Sequence, residues 1–231
     1  MGTLQERFSI SAVIPTLNAA ETLSATLDTL WGSGVVREIT VADGGSSDET
    51  VDRAGSAGAR VVIAPCGRGV QLAAGAAAAS GDWLLVLHAD CRPERGWERA
   101  VEAFLTAPEA GSRAGYFDLA LDDPAPVARR LEHIVAWRCR VLALPYGDQG
   151  LLISRTLYDN VGGFAPLPLM EDVDFVRRLG RRRLTRIGAR CIASARRYRR
   201  DGYLRRSLRN LVCLSLYFGG VPPARIARLY R

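Results

Sequence analysis

The chain has 231 residues, enough for one large α/β domain or two small ones, and 48% of them are hydrophobic, which excludes disordered and fibrous classes. Its charge is divided unevenly. Residues 1–176 hold 14 arginines against 23 acids, residues 177–231 hold 17 arginines against the single acid Asp201, and the net charge is +7 with no lysine anywhere.

No apolar run reaches the roughly 18–20 residues a membrane span needs. The first residues lack a basic patch with an apolar core behind it, so no secretory signal is expected. The five cysteines are scattered and form no Cys-x-x-Cys pair, which predicts reduced thiols and a cytoplasmic protein without a disulfide framework or zinc knuckle.

In chain order, residues 8–14 read as a strand that ends at Pro15. Residues 21–31 read as a helix, with Leu23, Leu27, Leu30 and Trp31 on one face. Residues 38–42 are a second strand, and Ser47 or Asp48 can cap a helix that runs to Ala54. Residues 60–64 are a third strand. Residues 70–79 form an alanine-rich helix whose small side chains allow close approach to a sheet. Residues 83–87 are a continuous apolar run, as buried parallel strands show.

The second half is less regular. Residues 94–106 read as a helix, 115–121 as a strand, 127–144 as a helix and 150–154 as a short strand. Residues 172–179 read as a helix that opens with acids. Residues 203–218 form an amphipathic helix with Leu204, Leu208, Leu211 and Val212 on one side. Pro222 and Pro223 break it before a last helical turn.

Alternating strands and helices predict an α/β fold with a mainly parallel sheet covered by helices. Its expected organisation is a domain over residues 1–200, with a nucleotide-binding half (1–92) and an acceptor half (93–200), followed by a basic amphipathic helical tail (201–231). Right-handed crossovers place the C-terminal ends of the parallel strands on one edge, where open α/β sheets bind ligands. Four polar or glycine-rich segments follow the first four strands and are expected on that rim: residues 15–18, 43–48, 65–69 and 88–90.

Each segment has a chemical reading and a plainer one. Asp43, followed by Gly44, Gly45, Ser46, Ser47 and Asp48, offers an acceptor for a base or ribose, or is a turn that caps a helix. Gly67, Arg68 and Gly69 begin like a dinucleotide fingerprint. Leu72 stands where its last glycine belongs, and the segment follows the third strand, so that reading fails. Arg68 near a helix N-terminus still suits a phosphate. A buried strand ending in His88, Ala89 and Asp90 presents a carboxylate suited to Mg²⁺ or Mn²⁺, although a lone histidine is as often structural. Glu171, Asp172 and Asp174 favour a helix macrodipole, and one of them can reach over the rim as a base.

Together, and in this order, the segments resemble glycosyltransferase family 2, the inverting enzymes of GT-A fold. Residues 15–21 resemble its first-strand nucleotide motif, 43–48 its Asp-Gly-Ser-x-Asp motif, 88–90 its Asp-x-Asp metal motif, and 170–172 its x-Glu-Asp motif. The resemblance implies transfer of a sugar from a UDP- or GDP-linked donor to a hydroxyl acceptor, a small molecule or a lipid-linked one. It implies that Pro15, Thr16, Leu17, Glu21 and Asp43 hold the nucleoside, supported by Asp48, Arg68, Gln71 and Ala89. It implies that Asp90 holds Mg²⁺ or Mn²⁺, and that Asp172 with Glu171 carries the catalytic base. His88 departs from the motif, standing where the family has its first Asp; it is a candidate second metal ligand. Residues 146–150 and 194–198 resemble a narrower bacterial subgroup found beside radical-SAM proteins and linked to arsenosugar biosynthesis. By that likeness Asp148 and Gln149 face the acceptor and Arg197 closes over the diphosphate.

Two rivals are weaker. A sugar-phosphate nucleotidyltransferase carries a basic, glycine-rich loop after its first strand, and residues 15–20 contain neither base nor glycine. A nucleic-acid-binding module would use the basic tail, but Tyr198 and Tyr203 are the only aromatics among its main arginine clusters, so no nucleic acid is expected. The tail also suits peripheral contact with an anionic membrane at its inner face, because Arg205, Arg206 and Arg209 flank an apolar helix face. Packing of that face on the domain is the competing expectation.

Overall fold

A computed structural model describes residues 7–230. The first half follows the expected alternation. Strand β1 (Ile10–Thr16) leads to helix α1 (Ala20–Trp31), β2 (Val36–Asp43), α2 (Thr50–Ser56), β3 (Arg60–Ile63), α3 (Arg68–Ala78) and β4 (Trp83–Val86). β1 runs through Pro15, where a strand end was expected. Its pairing with β4 closes at Val13 and Val86, so the proline lies beyond that ladder and its missing N–H leaves no bond there unmade.

The second half adds β5 (Cys91–Pro93), α4 (Trp97–Leu105), β6 (Ala114–Leu121), α5 (Pro126–Leu142), β7 (Leu151–Ser154), α6 (Arg155–Asn160), α7 (Glu171–Leu179) and β8 (Leu184–Ala193). It then closes with α8 (Arg196–Asp201), α9 (Tyr203–Phe218) and α10 (Pro223–Tyr230). All eight strands form one sheet in the order β3-β2-β1-β4-β7-β6-β8-β5. β1, β2, β3 and β4 are mutually parallel, as are β6 and β8, while β7 and β5 run against their neighbours.

Period-two alternation divides the strands between two apolar layers. Ile10, Ala12 and Ile14 of β1 and Leu85 of β4 face a layer with Leu23, Leu27 and Leu30 of α1 and Trp97 of α4. Val13, Leu84 and Val86 face the other, with Leu72 and Ala76 of α3 and Phe175 of α7. The alanine-rich α3 lies close on the sheet: a Cβ at Gly75 would come within 2.6 Å of Val13 Cγ1. Truncating one of the fully buried leucines to alanine costs about 2–5 kcal/mol in such a core.

This topology sets the rim. Thr16 pairs with Asp43 and Asp43 with Ile63, so the first three strands end level. β7 runs the opposite way and pairs Leu151 with Val86, so the turn before β7 joins the same rim. β8, unanticipated in the sequence, pairs Ala193 with Leu121 and delivers Ser194 and Arg197 there. The buried positions of β8 alternate at Ile187, Ala189, Cys191 and Ala193, with Arg186 and Arg190 turned outward.

The basic tail folds back on the domain, and it does so through a face other than the expected one. Leu204, Leu208, Leu211 and Val212 are exposed, Leu204 by 84%. The opposite stripe of α9, with Arg206, Cys213 and Leu214, is buried. Cys213 and Leu214 share an apolar cluster with Leu144, Val173, Val176 and Ile226 of α10.

Candidate active site

The wall made by the β1 and β2 loops is held by its own hydrogen bonds. Asp43 is 0% exposed and accepts from the Thr16 hydroxyl (2.8 Å), the Gly45 and Ser46 amides (2.9 and 2.7 Å) and the Ser46 hydroxyl (2.5 Å). Burial alone would raise its pKa, but these donors, Ser46 foremost, hold it below the ordinary carboxylate value. Asp48 accepts from the Ala20 amide and from Thr50, fixing the loop to the start of α1. Asn18, with φ of 50°, accepts from the Ser47 amide and donates its own to Ser46 Oγ. Buried Gln71 donates to the carbonyls of Thr16 (2.6 Å) and Ala42 (2.9 Å).

These loops border a cleft of about 620 Å³. Pro15, Thr16, Leu17, Glu21, Asp48, Gln71 and Ala89, all expected at a nucleoside site, line it. Asp43 does not: its oxygens are engaged by the loop, so here it braces the wall. Glu21 contacts Arg196 of α8 across the mouth.

A second cavity, of about 120 Å³, adjoins the cleft. Arg68, His88, Asp90, Ser194, Arg197 and Tyr230 line both spaces, so they stand at the junction. Asp172, Asp148, Tyr146, Arg206 and Asn210 line the second cavity and not the cleft.

Backbone geometry puts the acids there. Met170 adopts a left-handed φ of 65°, which costs a non-glycine residue about 1–2 kcal/mol and turns the chain into α7. Asp172 then accepts from the Gly147 amide at 2.8 Å and from the Val173 amide at 2.7 Å. Gly147 is required for this approach, because a Cβ on it would collide with the His88 imidazole. Glu171, the other expected acid, is 0% exposed and faces neither the cleft nor the second cavity. It pairs with Arg68 at 3.2 Å. Burial pushes its pKa up to about 7 despite the pull of Arg68. It lines a smaller cavity of about 20 Å³ together with His88 and Asp172.

Gln149, expected to face the acceptor, lies beneath the pocket at 1% exposure. It donates to the Phe117 carbonyl and accepts from Arg138 and from the Tyr146 amide, so its amide is committed to holding the turn over Gly147–Gln149. Asp148 on the same turn keeps Oδ1 without a partner. Burial, reinforced by Asp172 and Asp90 against Arg138, pushes its pKa up to about 6.

His88, Asp90 and Cys91 place ligand atoms within 4.8 Å of one another. Burial first, then Arg68, depresses the His88 pKa to about 4, which leaves a neutral imidazole able to ligate. The Cys91 thiol is held well above its usual pKa and points its sulfur toward Asp90 at 3.6 Å. One hard carboxylate oxygen beside a neutral imidazole, with no thiolate competing, fits Mg²⁺ or Mn²⁺ better than a zinc site.

The tail supplies side chains that the sequence did not place at the site, and Arg206, expected beside an exposed apolar helix face, is buried because it lies on the stripe of α9 turned toward the domain. Arg206 is 5% exposed, donates to the Tyr230 hydroxyl at 2.7 Å, and lies 4.7 Å over its ring. Asp201 sits amid Arg200, Arg206 and Arg209 at 2.8, 3.3 and 3.8 Å. Tyr198 and Tyr203 stack on each other at 5.2 Å, and Tyr203 donates to Asp123. The readable signal was the helical stripe of Arg206, Asn210, Cys213 and Leu214, which mixes polar and apolar residues and so resembles a solvent face.

The α/β sheet thus carries a polar cleft at its strand ends, an arginine-lined junction and a carboxylate beyond it. The family model described as Glycosyl transferase family 2 matches residues 11–167, and the chain belongs to that family. It is 36% identical over 93 residues to glucosyl-3-phosphoglycerate synthase of Mycolicibacterium smegmatis, an alignment that covers 36% of this chain and 31%, about a third, of that protein. It is similar to the crystal structure of glucosyl-3-phosphoglycerate synthase from Mycobacterium tuberculosis in complex with Mn²⁺, UDP and glucosyl-3-phosphoglycerate, with a TM-score of 0.58, 26% identity, and coverage of 83% of this chain and 72% of that one. The complex of the same protein with Mn²⁺, UDP-glucose and phosphoglyceric acid gives a TM-score of 0.58, 27% identity, and 80% and 72% coverage.

Proposed function

We propose that this glycosyltransferase moves a sugar from a nucleoside-diphosphate donor, UDP- or GDP-linked, to an acceptor hydroxyl in one inverting displacement. The observation that carries this reading is the junction: Arg68, Asp90 and Arg197 stand between a nucleoside-sized cleft and a smaller cavity whose wall carries Asp172.

In the proposed reaction the nucleoside lies against residues 15–17 and its diphosphate lies against Arg68 and Arg197. Asp172 takes the proton of the acceptor hydroxyl, its orientation fixed by the Gly147 amide. The acceptor oxygen bonds to the anomeric carbon as that carbon's bond to the diphosphate breaks. The two arginines offset the charge that develops on the departing diphosphate. Asp90, with His88 as second ligand, would hold Mg²⁺ or Mn²⁺, which when bound adds further charge compensation there. The similar synthase was crystallised with Mn²⁺ and UDP-glucose, which favours a uridine donor for this chain.

The proposed subgroup is the radical-SAM-associated one. Its support is that the two stretches resembling it, around Asp148 and around Arg197, line one cavity. A second partner is proposed for the surface. Leu204, Leu208 and Leu211 form an exposed apolar stripe flanked by Arg205 and Arg209, which suits peripheral contact with an anionic bilayer. Flotation with liposomes containing phosphatidylserine, but not with neutral liposomes, is the expected result.

The reaction is tested by incubating the enzyme with UDP- and GDP-sugars, Mn²⁺ and mixed hydroxyl acceptors, then reading the product's anomeric configuration by NMR. An inverted anomer is expected. A retained anomer would remove the single displacement, and turnover of a sugar 1-phosphate with a nucleoside triphosphate would replace the reaction class.

A further inference from the structure

Resting on the bilayer reading of α9 and extending it, we propose that α5 is a second membrane-surface helix, and that the protein docks on an anionic lipid bilayer through both helices with Trp137 entering the interface. The outward face of α5 carries Val127, Ile134, Trp137 and Val141, which fall on one helical stripe. All four are exposed, Ile134 by 62% and Trp137 by 59%. The inward face, with Ala128, Val135 and Cys139, already covers the core, so packing within the domain does not account for the outer stripe. Single exposed apolar residues are ordinary, but a continuous stripe of them marks an interaction surface.

The charges select the occupant. Glu132 is the sole acid of α5 and is turned inward, where it accepts from the Leu121 amide at 2.6 Å and pairs with Arg129 at 2.8 Å. The exposed arginines of α5, Arg130 and Arg140, have no ion-pair partner among the described residues. Helices α9 and α10 repeat the pattern with exposed Arg205, Arg225 and Arg228, and no acid lies between residues 202 and 231. A second copy of the chain would set these arginines against their own kind, whereas phosphatidylserine headgroups supply the missing anions. Contacts at both ends set the two helices side by side. Tyr203, which opens α9, donates to Asp123 just ahead of α5, and Leu144, just behind α5, shares an apolar cluster with Cys213 and Leu214 of α9. A tryptophan ring suits the headgroup level of a bilayer. No described helix is long and apolar enough to cross a membrane, so the contact lies on the surface.

The test uses the full-length protein and phosphatidylcholine vesicles with or without about 30% phosphatidylserine. The parent is expected to float with the anionic vesicles, and lipids brominated on the acyl chain should quench its tryptophan fluorescence. Trp137→Phe should keep flotation and lose most of that quenching, because Trp83 and Trp97 are buried. Trp137→Glu and Ile134→Glu should each weaken partitioning at least about tenfold, the loss of one apolar side chain from the interface. Both positions are exposed, so an unchanged melting temperature separates lost contact from lost folding. Leu208→Glu probes α9 separately. Flotation lost in Leu208→Glu but kept in both α5 glutamate variants, or quenching that persists in Trp137→Phe, would overturn the inference and leave the α9 contact standing. Equal flotation with neutral vesicles would overturn the anionic partner. A lipid-free dimer in sedimentation that Trp137→Glu dissociates would give the α5 face to a second copy and overturn the inference as well. No flotation of the parent with either vesicle would remove the α9 reading and this inference together.

Discussion

The two sides of the rim are built by opposite rules. On the proposed donor side, Asp43, Asp48, Asn18 and Gln71 direct polar atoms to the neighbouring loops, so the wall is held by its own hydrogen bonds. On the proposed acceptor side, Asp148 and Asn210 have oxygens without a protein partner, and the wall is assembled from the turn before β7, α7, the end of β8 and the tail, which lie far apart in sequence. A preorganised wall suits a constant ligand portion such as a nucleotide. A wall gathered from distant segments suits the portion that sets specificity, because each segment can vary separately.

The largest effect expected from breaking this division is on chemistry. Asp172→Asn should lower sugar transfer by about 10²–10⁴-fold, the usual contribution of a general base, while the donor still raises the melting temperature. Near-normal transfer would remove Asp172 from the role. Next in size is the donor wall. Asp43→Asn places an amide among donors from Thr16, Gly45 and Ser46, and should cost about 1–3 kcal/mol. For a chain of this size that is a fall of roughly 2–12 °C in melting temperature, readable by calorimetry without any ligand.

The smallest effect distinguishes the acceptor wall. Asp148 has a folded-state pKa of about 6, above its reference value of 3.8. The folded protein therefore holds the extra proton between those values, and this group's contribution to stability declines as pH rises from about 4 through 6. Asp148→Asn should be more stable than the parent at pH 8, with the advantage shrinking as pH falls toward 4. Melting curves across that range check it, and an advantage that is flat or grows toward acid would contradict the assignment.

The donor half was legible because its strands are uninterrupted apolar runs and its helices have clear stripes. Handedness alone then brought residues 15–18, 43–48, 65–69 and 88–90 to one edge. What the sequence could not show was which side of each motif faces the ligand. Asp43 and Glu171 sit inside motifs that resemble ligand sites, and the structure places one among donors of its own loop and the other buried against Arg68. β8 escaped notice because Arg186 and Arg190 alternate with its buried residues inside an arginine-rich stretch, where composition obscures period-two patterning. Arg197 reached the site only through β8, so its expected role rested on resemblance alone. Arg206, Asn210 and Tyr230 were out of reach, because their place depends on the tail folding back with its more polar stripe inward.

A crystal structure with a nucleoside diphosphate and Mn²⁺ tests the central claim most directly. The account predicts the nucleoside against Pro15–Leu17, the diphosphate between Arg68 and Arg197 with Mn²⁺ on Asp90, and the Asp172 cavity still open beyond the terminal phosphate. A nucleotide bound in the Asp172 cavity, or a cation held without Asp90, would contradict it.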